Sequence, residues 1–199
     1  MKPNAAAAGR ASLFDPASRM PNADTSYFEL FDLPQDFDID QDRLAAVYRK
    51  LQATHHPDRF ASADAATRRA SLETAALINE AYQTLIDPLK RGFYLLRLAG
   101  VEAGPEHHTI KDGEFLLKQM AYQERLDGLA DRDDPLAAVD DLRDQLEQEK
   151  QQLVEQFKAA YVEKDFDQAL DHLTKLQFFG RLQSRLGDIE ARLEEQLLD

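Results

Sequence analysis

The feature that most constrains the fold is a repeat of apolar side chains at steps of three and four residues, sustained over two long stretches near the C-terminus. The stretches cover residues 135–163 and 166–197, and such steps place the apolar side chains on one face of an α-helix. Helices of this length, without a recognisable cap, need equally long partners. We therefore expect an antiparallel hairpin turning at Lys164-Asp165, with a third helix over residues 114–130 completing a three-helix bundle.

The first half of the chain contains a second set of helical patterns, and proline residues mark their ends. A helix beginning near residue 42 must end before Pro57, because the residue preceding a proline is driven out of helical conformation. A helix over residues 66–86 follows, is broken at Asp87-Pro88, and precedes a shorter helix ending near Gly100. No segment alternates apolar and polar residues with a period of two, so the predicted fold class is all-α. The two longer patterns place on their apolar faces Leu44, Val47, Tyr48 and Leu51, and then Leu72, Ala75, Ile78, Ala81, Tyr82 and Leu85.

Charge and composition exclude several classes of function. The net charge is −13, and residues 101–199 carry 24 acidic against 12 basic side chains. A field of that sign repels phosphate backbones, so we expect no nucleic-acid partner. No apolar run approaches the roughly 20 residues that span a bilayer, so we expect no membrane partner. The chain contains no cysteine, which removes disulfides, thiolate metal sites and cysteine nucleophiles.

The tripeptide His56-Pro57-Asp58 lies between the two long N-terminal helices. Pro57 ends the first helix and stiffens the turn, so that an imidazole and a carboxylate are displayed at the tip of a helical hairpin. An exposed carboxylate on a stiff loop can receive a partner's arginine through two parallel hydrogen bonds. The alternative interpretation is an ordinary helix-breaking turn in which Asp58 caps a neighbouring helix.

The surrounding residues favour the first interpretation, because residues 26–100 resemble the J-domain family. The resemblance implies that His56, Pro57 and Asp58 engage the ATPase domain and interdomain linker of a DnaK-type chaperone and trigger hydrolysis of its ATP. Arg43, Tyr48, Arg49, Lys50 and Arg59 are the further expected chaperone-binding residues. Arg43 and Lys50 are seven residues apart and so share one helix face, which a charged partner would meet. The matching segments are Tyr27–Leu33, Tyr48–Leu51, His55–Phe60, Ile78–Leu85 and Asp87-Pro88.

The remainder of the chain contains a second set of informative segments, which are Arg91–Leu96, His108-Thr109, Asp112, Phe115–Leu126 and Lys175–Leu182. On these segments it resembles the HscB (Hsc-twenty) branch of the J-proteins, which implies an L-shaped molecule of two parts. The branch carries the iron–sulfur scaffold protein IscU to the specialised chaperone HscA, and stimulates the ATPase of HscA. Carrying over its scaffold-binding positions gives Leu116, Leu117, Met120, Glu124 and Phe178. Lys118 and Ala121 stand where other members often carry acids, so the electrostatic part of the contact is either weaker here or supplied by Glu124.

The predicted organisation is therefore a disordered tail over residues 1–23, a J-domain over 24–100, a connector over 101–113 and a scaffold-binding bundle over 114–199. We expect no catalytic residues, no cofactor and no metal site. The acidic run from Asp36 fails as a calcium loop at Gln41 and Val47, and the adjacent pairs His55-His56 and His107-His108 diverge too far to share a zinc ion. The expected location is the bacterial cytoplasm, with the mitochondrial matrix as the alternative.

Two rival functions stay open on the sequence alone. The chain could be a J-protein that serves a client other than IscU. It could also be a hydrolase in which His56 acts as a base and Asp58 orients it. No motif for a nucleophile, a P-loop or a dinucleotide site supports the second rival.

Overall fold

A computed structural model describes residues 25–102, 110 and 112–198. The side chains of residues 197 and 198 are not described. The described residues form seven α-helices and two 3-10 turns, with no strand among them, which confirms the all-α prediction. The helices are α1 (Tyr27–Leu30), α2 (Gln41–His55), α3 (Ala65–Ile86), α4 (Pro88–Leu98), α5 (Gly113–Asp127), α6 (Pro135–Val162) and α7 (Phe166–Leu198), and the turns are Pro57–Phe60 and Leu129–Asp131. The predicted tail lies outside the described residues.

The chain divides into two compact units, of which the first ends at Arg91 and the second begins at Gly92. In the first unit, α2 and α3 pack together as a hairpin around the turn Pro57–Phe60, and α1 packs on α3. Ser26 caps α1 in a reciprocal capping box with Glu29. The core of this unit is apolar and almost fully buried; it includes Phe28, Phe31, Leu44, Leu51, Ile78 and Leu85.

One residue of the first unit was wrongly predicted to lie in the core. Leu72 was placed on the buried face of the second long helix, but 58% of its surface is exposed. The buried positions at this end of α3 are Ser71 and Thr74. The inward face of α3 is therefore turned by about one residue at its start, and an apolar side chain is left facing solvent.

In the second unit, α6 and α7 form the predicted antiparallel hairpin. The chain reverses at Lys164, which has a positive φ of 61°, and the N–H of Asp165 donates to the carbonyl of Ala160 (2.9 Å). The helix predicted over residues 114–130 is shorter than expected, because α5 ends at Asp127 and Leu129–Asp131 forms a separate 3-10 turn. The core of this unit includes Leu126, Val139, Leu142, Leu146, Phe157, Leu173, Phe179, Leu182 and Leu186.

The α7 helix was predicted to be uncapped, and this was wrong. Asp165 accepts a hydrogen bond from the N–H of Gln168 through Oδ1 (3.1 Å), as an N-cap does. No helix in the described part of the chain is long and apolar enough to cross a membrane.

Candidate functional site

The first candidate site is the turn that joins α2 to α3. His56 ends α2 with φ −61° and ψ 129°, the extended conformation that a following proline imposes. Its Nδ1 atom accepts a hydrogen bond from the N–H of Asp58 (3.3 Å), so a neutral ring carries its proton on Nε2. The carboxylate of Asp58 is 91% exposed, with Oδ2 3.6 Å from the His56 Nδ1 atom. The turn therefore holds an acidic side chain out in solvent on a defined backbone.

The alternative interpretation of this turn, in which Asp58 caps a helix, is not what the structure contains. The helix that follows is capped by Asp64, whose Oδ1 accepts from the N–H of Thr67 (2.9 Å). Arg59 reinforces the turn from the other side, because its Nη1 atom donates to the carbonyl of Ala53 in α2 (3.2 Å). Asp58 therefore does not cap α3, and Arg59 ties the loop to α2.

The expected chaperone-binding residues of α2 fall into two groups. Arg43, Arg49 and Lys50 are all exposed, and the guanidinium of Arg43 forms an ion pair with Asp32. Tyr48 is half-buried instead, and its ring stacks on that of Tyr82 in α3 with centroids 3.9 Å apart. Within the described structure, Tyr48 therefore packs the two helices of the hairpin together, and the charges lie beside it.

Tyr48 belongs to a hydrogen-bonded cluster that our sequence reasoning missed. Its hydroxyl donates to Oδ1 of Asn79 (2.9 Å), and Gln52 donates to the Tyr48 hydroxyl (2.7 Å). Asn79 was part of the resembling segment, but nothing in its local pattern showed that it would face α2. This cluster joins α2 to α3 one turn before the loop and so fixes the base from which His56 and Asp58 project.

A groove of about 320 Å³ lies beside the loop, between the end of α2 and α3. Its walls include His55, Pro57, Leu72 and Ala75. His55 is only 7% exposed, its Nε2 atom has no hydrogen-bond partner within the described residues, and burial lowers the pKa of its imidazole. His55 therefore packs at the end of α2.

The second candidate site is the outer face of α5. Phe115, Tyr122 and Leu126 point inward, which leaves Leu116, Leu117 and Met120 exposed, the last two by 70% and 68%. Three large apolar side chains in solvent on one short helix are unusual for a surface with no partner. Glu124 is also exposed, one turn beyond Met120.

Phe178 of α7 adjoins this face through Phe115. Phe179 is buried and Phe178 is half-buried. The rings of Phe115 and Phe178 meet edge to face with centroids 5.6 Å apart, and Phe115 directly precedes Leu116 in the chain. The structure therefore places Phe178 next to the start of the exposed apolar face, which we call the α5 patch (Leu116, Leu117, Met120, Glu124 and Phe178).

The two positions that depart from the family pattern have different surroundings. The ammonium group of Lys118 forms an ion pair with Glu149 of α6, and Tyr122 donates to the same carboxylate (3.4 Å). Ala121 is exposed and carries no charge. Lys118 therefore fastens α5 to α6, and Glu124 is the acidic member of the α5 patch.

The expected absence of a metal site concerns residues that are only partly described. Over residues 25–102 and 112–198, no three His, Asp or Glu side chains converge closely enough to hold a metal ion. His107 and His108 lie outside the described residues.

Comparison with known proteins identifies both units. Residues 26–94 match the family model of the DnaJ domain, and residues 111–187 match that of the HSCB C-terminal oligomerisation domain. A co-chaperone protein HscB homolog from Shewanella pealeana is 40% identical over 177 residues, which cover 87% of this chain and 99% of the relative. A homolog from Aeromonas hydrophila is 39% identical over 170 residues, or 85% of this chain and 99% of the relative.

Solved structures of HscB proteins are also similar to this chain. Chaperone HscB from Vibrio cholerae superposes with a TM-score of 0.79 at 36% identity, covering 84% of this chain and 99% of that one. Human co-chaperone protein HscB superposes with a TM-score of 0.76 at 29% identity, covering 85% and 84%. The loop and the α5 patch thus occur in a chain that matches these co-chaperones over nearly their whole length. The chain belongs to the HscB family of J-domain co-chaperones.

Proposed function

We propose that the chain stimulates ATP hydrolysis by the DnaK-type chaperone HscA through His56, Pro57 and Asp58, and has no catalytic activity of its own. The observation that carries the proposal is the 91% exposed carboxylate of Asp58 on a turn held by Arg59 and by the His56 ring. A carboxylate on an ordered loop binds a partner's arginine with less loss of conformational entropy than one on a mobile loop. Arg49 and Lys50 on the exposed face of α2 supply positive charge that orients the encounter.

The test of this proposal is single-turnover ATP hydrolysis by HscA in the presence of the protein. Asp58→Asn removes the charge and keeps the shape, so we expect stimulation to be lost while circular dichroism remains unchanged. Asp42→Asn is the matched control, because Asp42 is an exposed carboxylate at the opposite end of α2. Undiminished stimulation by Asp58→Asn would contradict the proposal, and steady ATP turnover by the pure protein would favour the rival hydrolase.

We further propose that the α5 patch binds the iron–sulfur scaffold protein IscU and that the protein delivers this scaffold to HscA for cluster transfer. Supporting this are the apolar side chains of the patch in solvent, the half-buried ring of Phe178 beside them and the carboxylate of Glu124. Buried aromatic and apolar anchors supply most of the binding energy in such interfaces. The bacterial sources of the relatives above favour the cytoplasm as the site of this activity.

Calorimetric titration of the full chain with IscU tests this second proposal. Leu117→Ala and Phe178→Ala each remove an apolar anchor, so we expect affinity to fall on the order of tenfold, as for a central interface residue. Val162→Ala is the matched control, because Val162 is 79% exposed at the end of α6 and outside the α5 patch. If Leu117→Ala and Phe178→Ala bind as tightly as the wild type, or if the wild type gives no heat, a client other than IscU is indicated.

A further inference from the structure

Lys175 of α7 has an environment that differs from that of other lysines in the described chain. Its side chain is only 13% exposed, and its Nζ atom donates to Oδ2 of Asp112 (2.7 Å) and Oδ2 of Asp171 (2.8 Å). The same atom lies 5.3 Å from the centre of the Phe115 ring. A charge withdrawn from water is tolerated when it is paired and hydrogen-bonded, and here two carboxylates and an aromatic face surround it.

Asp112 uses its two carboxylate oxygens for two purposes. Oδ1 accepts from the N–H of Phe115 (3.0 Å) and caps α5, while Oδ2 accepts from Lys175. The hydrogen bonds from Lys175 and Phe115 lower the pKa of Asp112. Burial alone would lower the pKa of Lys175, but the hydrogen bonds to Asp112 and Asp171 outweigh it and raise that pKa. One charged pair therefore fixes both the first turn of α5 and its attachment to α7.

The α5 patch is divided between the two helices that this pair joins. Leu116 and Leu117 lie four and five residues after Asp112 on α5, and Phe178 lies three residues, or one turn, after Lys175 on α7. Phe115, between them, packs against Phe178. A shift of α5 along α7 would separate the leucines from Phe178 without unfolding either helix.

We propose that Lys175 is a positioning residue for scaffold binding, which with Asp112 holds the start of α5 in register with Phe178. The inference rests on the proposed binding of IscU by the α5 patch. Lys175 itself does not touch the scaffold; its role is to keep the two parts of the patch together. Preorganisation of this kind raises affinity because the partner does not have to order the surface on binding.

The test is a double-mutant cycle on the full chain, with IscU affinity measured by calorimetry at a temperature where all variants are folded. Lys175→Met removes the charge, and Asp112→Asn keeps an acceptor for the N-cap while weakening the link to Lys175. We expect each variant to bind IscU about tenfold more weakly, because the partner must then order side chains of the surface on binding. The double variant should bind no more weakly than either single one, and Lys175→Arg should restore part of the affinity.

Two controls separate positioning from general stability. Arg143→Met removes another ion-paired cation that joins α6 to α7 through Glu190, so its affinity should equal that of the wild type. Stimulation of HscA in the absence of scaffold should be the same in all variants, because the J-domain is unchanged. Wild-type affinity in Lys175→Met, or an equal loss in Arg143→Met, would overturn the inference while leaving the proposed function intact. Absence of binding by the wild type would instead overturn the proposed function and the inference with it.

Discussion

His55 and His56 are consecutive in the chain, yet the end of α2 places them in opposite environments. His56 is exposed on the turn, where its Nδ1 atom accepts from the backbone, whereas His55 is buried against α3 with an unpartnered Nε2 atom among the described residues. The proline that follows them is the cause, because it ends the helix between the two rings. One ring is therefore available to a partner, and the other belongs to the core beneath the loop.

The buried His55 predicts a pH dependence of stability. Burial lowers its pKa, so the folded state binds fewer protons than the unfolded state once the pH falls below the ordinary histidine value of about 6.5. The stabilising contribution of the neutral ring is complete above that pH and is lost as the pH falls through the folded-state pKa. His55→Leu should therefore reduce the difference in unfolding free energy between about pH 7.5 and about pH 5.5.

Urea denaturation followed by circular dichroism at the two pH values measures this difference. His172 of α7 also has a pKa lowered by burial, so some pH dependence should persist in His55→Leu. Adding His172→Gln, which leaves the first unit unchanged, to His55→Leu should remove the pH dependence that His172 contributes. A pH dependence in His55→Leu identical to that of the wild type would show that the ring of His55 is not buried as a neutral group.

At the scale of the helices, the sequence predicted well what depends on spacing and on proline. The apolar steps of α6 and α7, the break at Asp87-Pro88 and the reversal at Lys164-Asp165 are local features, and all of them were confirmed. Leu72 was misplaced because α3 carries apolar residues on more than one face near its start, and the choice between faces depends on the packing of α2. Spacing alone does not contain that information.

The helix caps show a second limit of sequence reasoning. Each of the six longer helices in the described chain begins behind an aspartate that accepts a hydrogen bond from the first turn, so part of the acidity of the chain is structural. An aspartate precedes each apolar pattern in the sequence, but we interpreted only the residues that end helices. The six caps are Asp40, Asp64, Asp87, Asp112, Asp134 and Asp165.

Contacts between distant segments were beyond the sequence. Lys175 and Asp112 are 63 residues apart, and Tyr48 and Asn79 are 31 apart, so no local pattern joins them. The resemblance to a family supplied the residues of the α5 patch, whereas the exposure of Leu117 and Met120 and the orientation of Phe178 required the structure. The exposure of the loop at His56, Pro57 and Asp58 could instead be predicted from the sequence, because its proline and flanking helices determine it.

At the scale of the whole molecule, each unit of the single chain has one proposed activity. A tether between two binding sites raises the effective concentration of the second partner once the first is bound, so an adaptor needs no chemistry of its own to be selective. We therefore infer that scaffold and chaperone must be bound by the same molecule.

Complementation between two defective variants tests this claim most directly. Asp58→Asn should bind scaffold without stimulating the chaperone, and Phe178→Ala should stimulate the chaperone without carrying scaffold. The measurement is single-turnover ATP hydrolysis by HscA with IscU present, at a protein concentration below that needed for stimulation by the J-domain alone. We predict strong stimulation by the wild type and little by an equimolar mixture of the two variants. Stimulation by the mixture equal to that of the wild type would show that one molecule need not bind both partners.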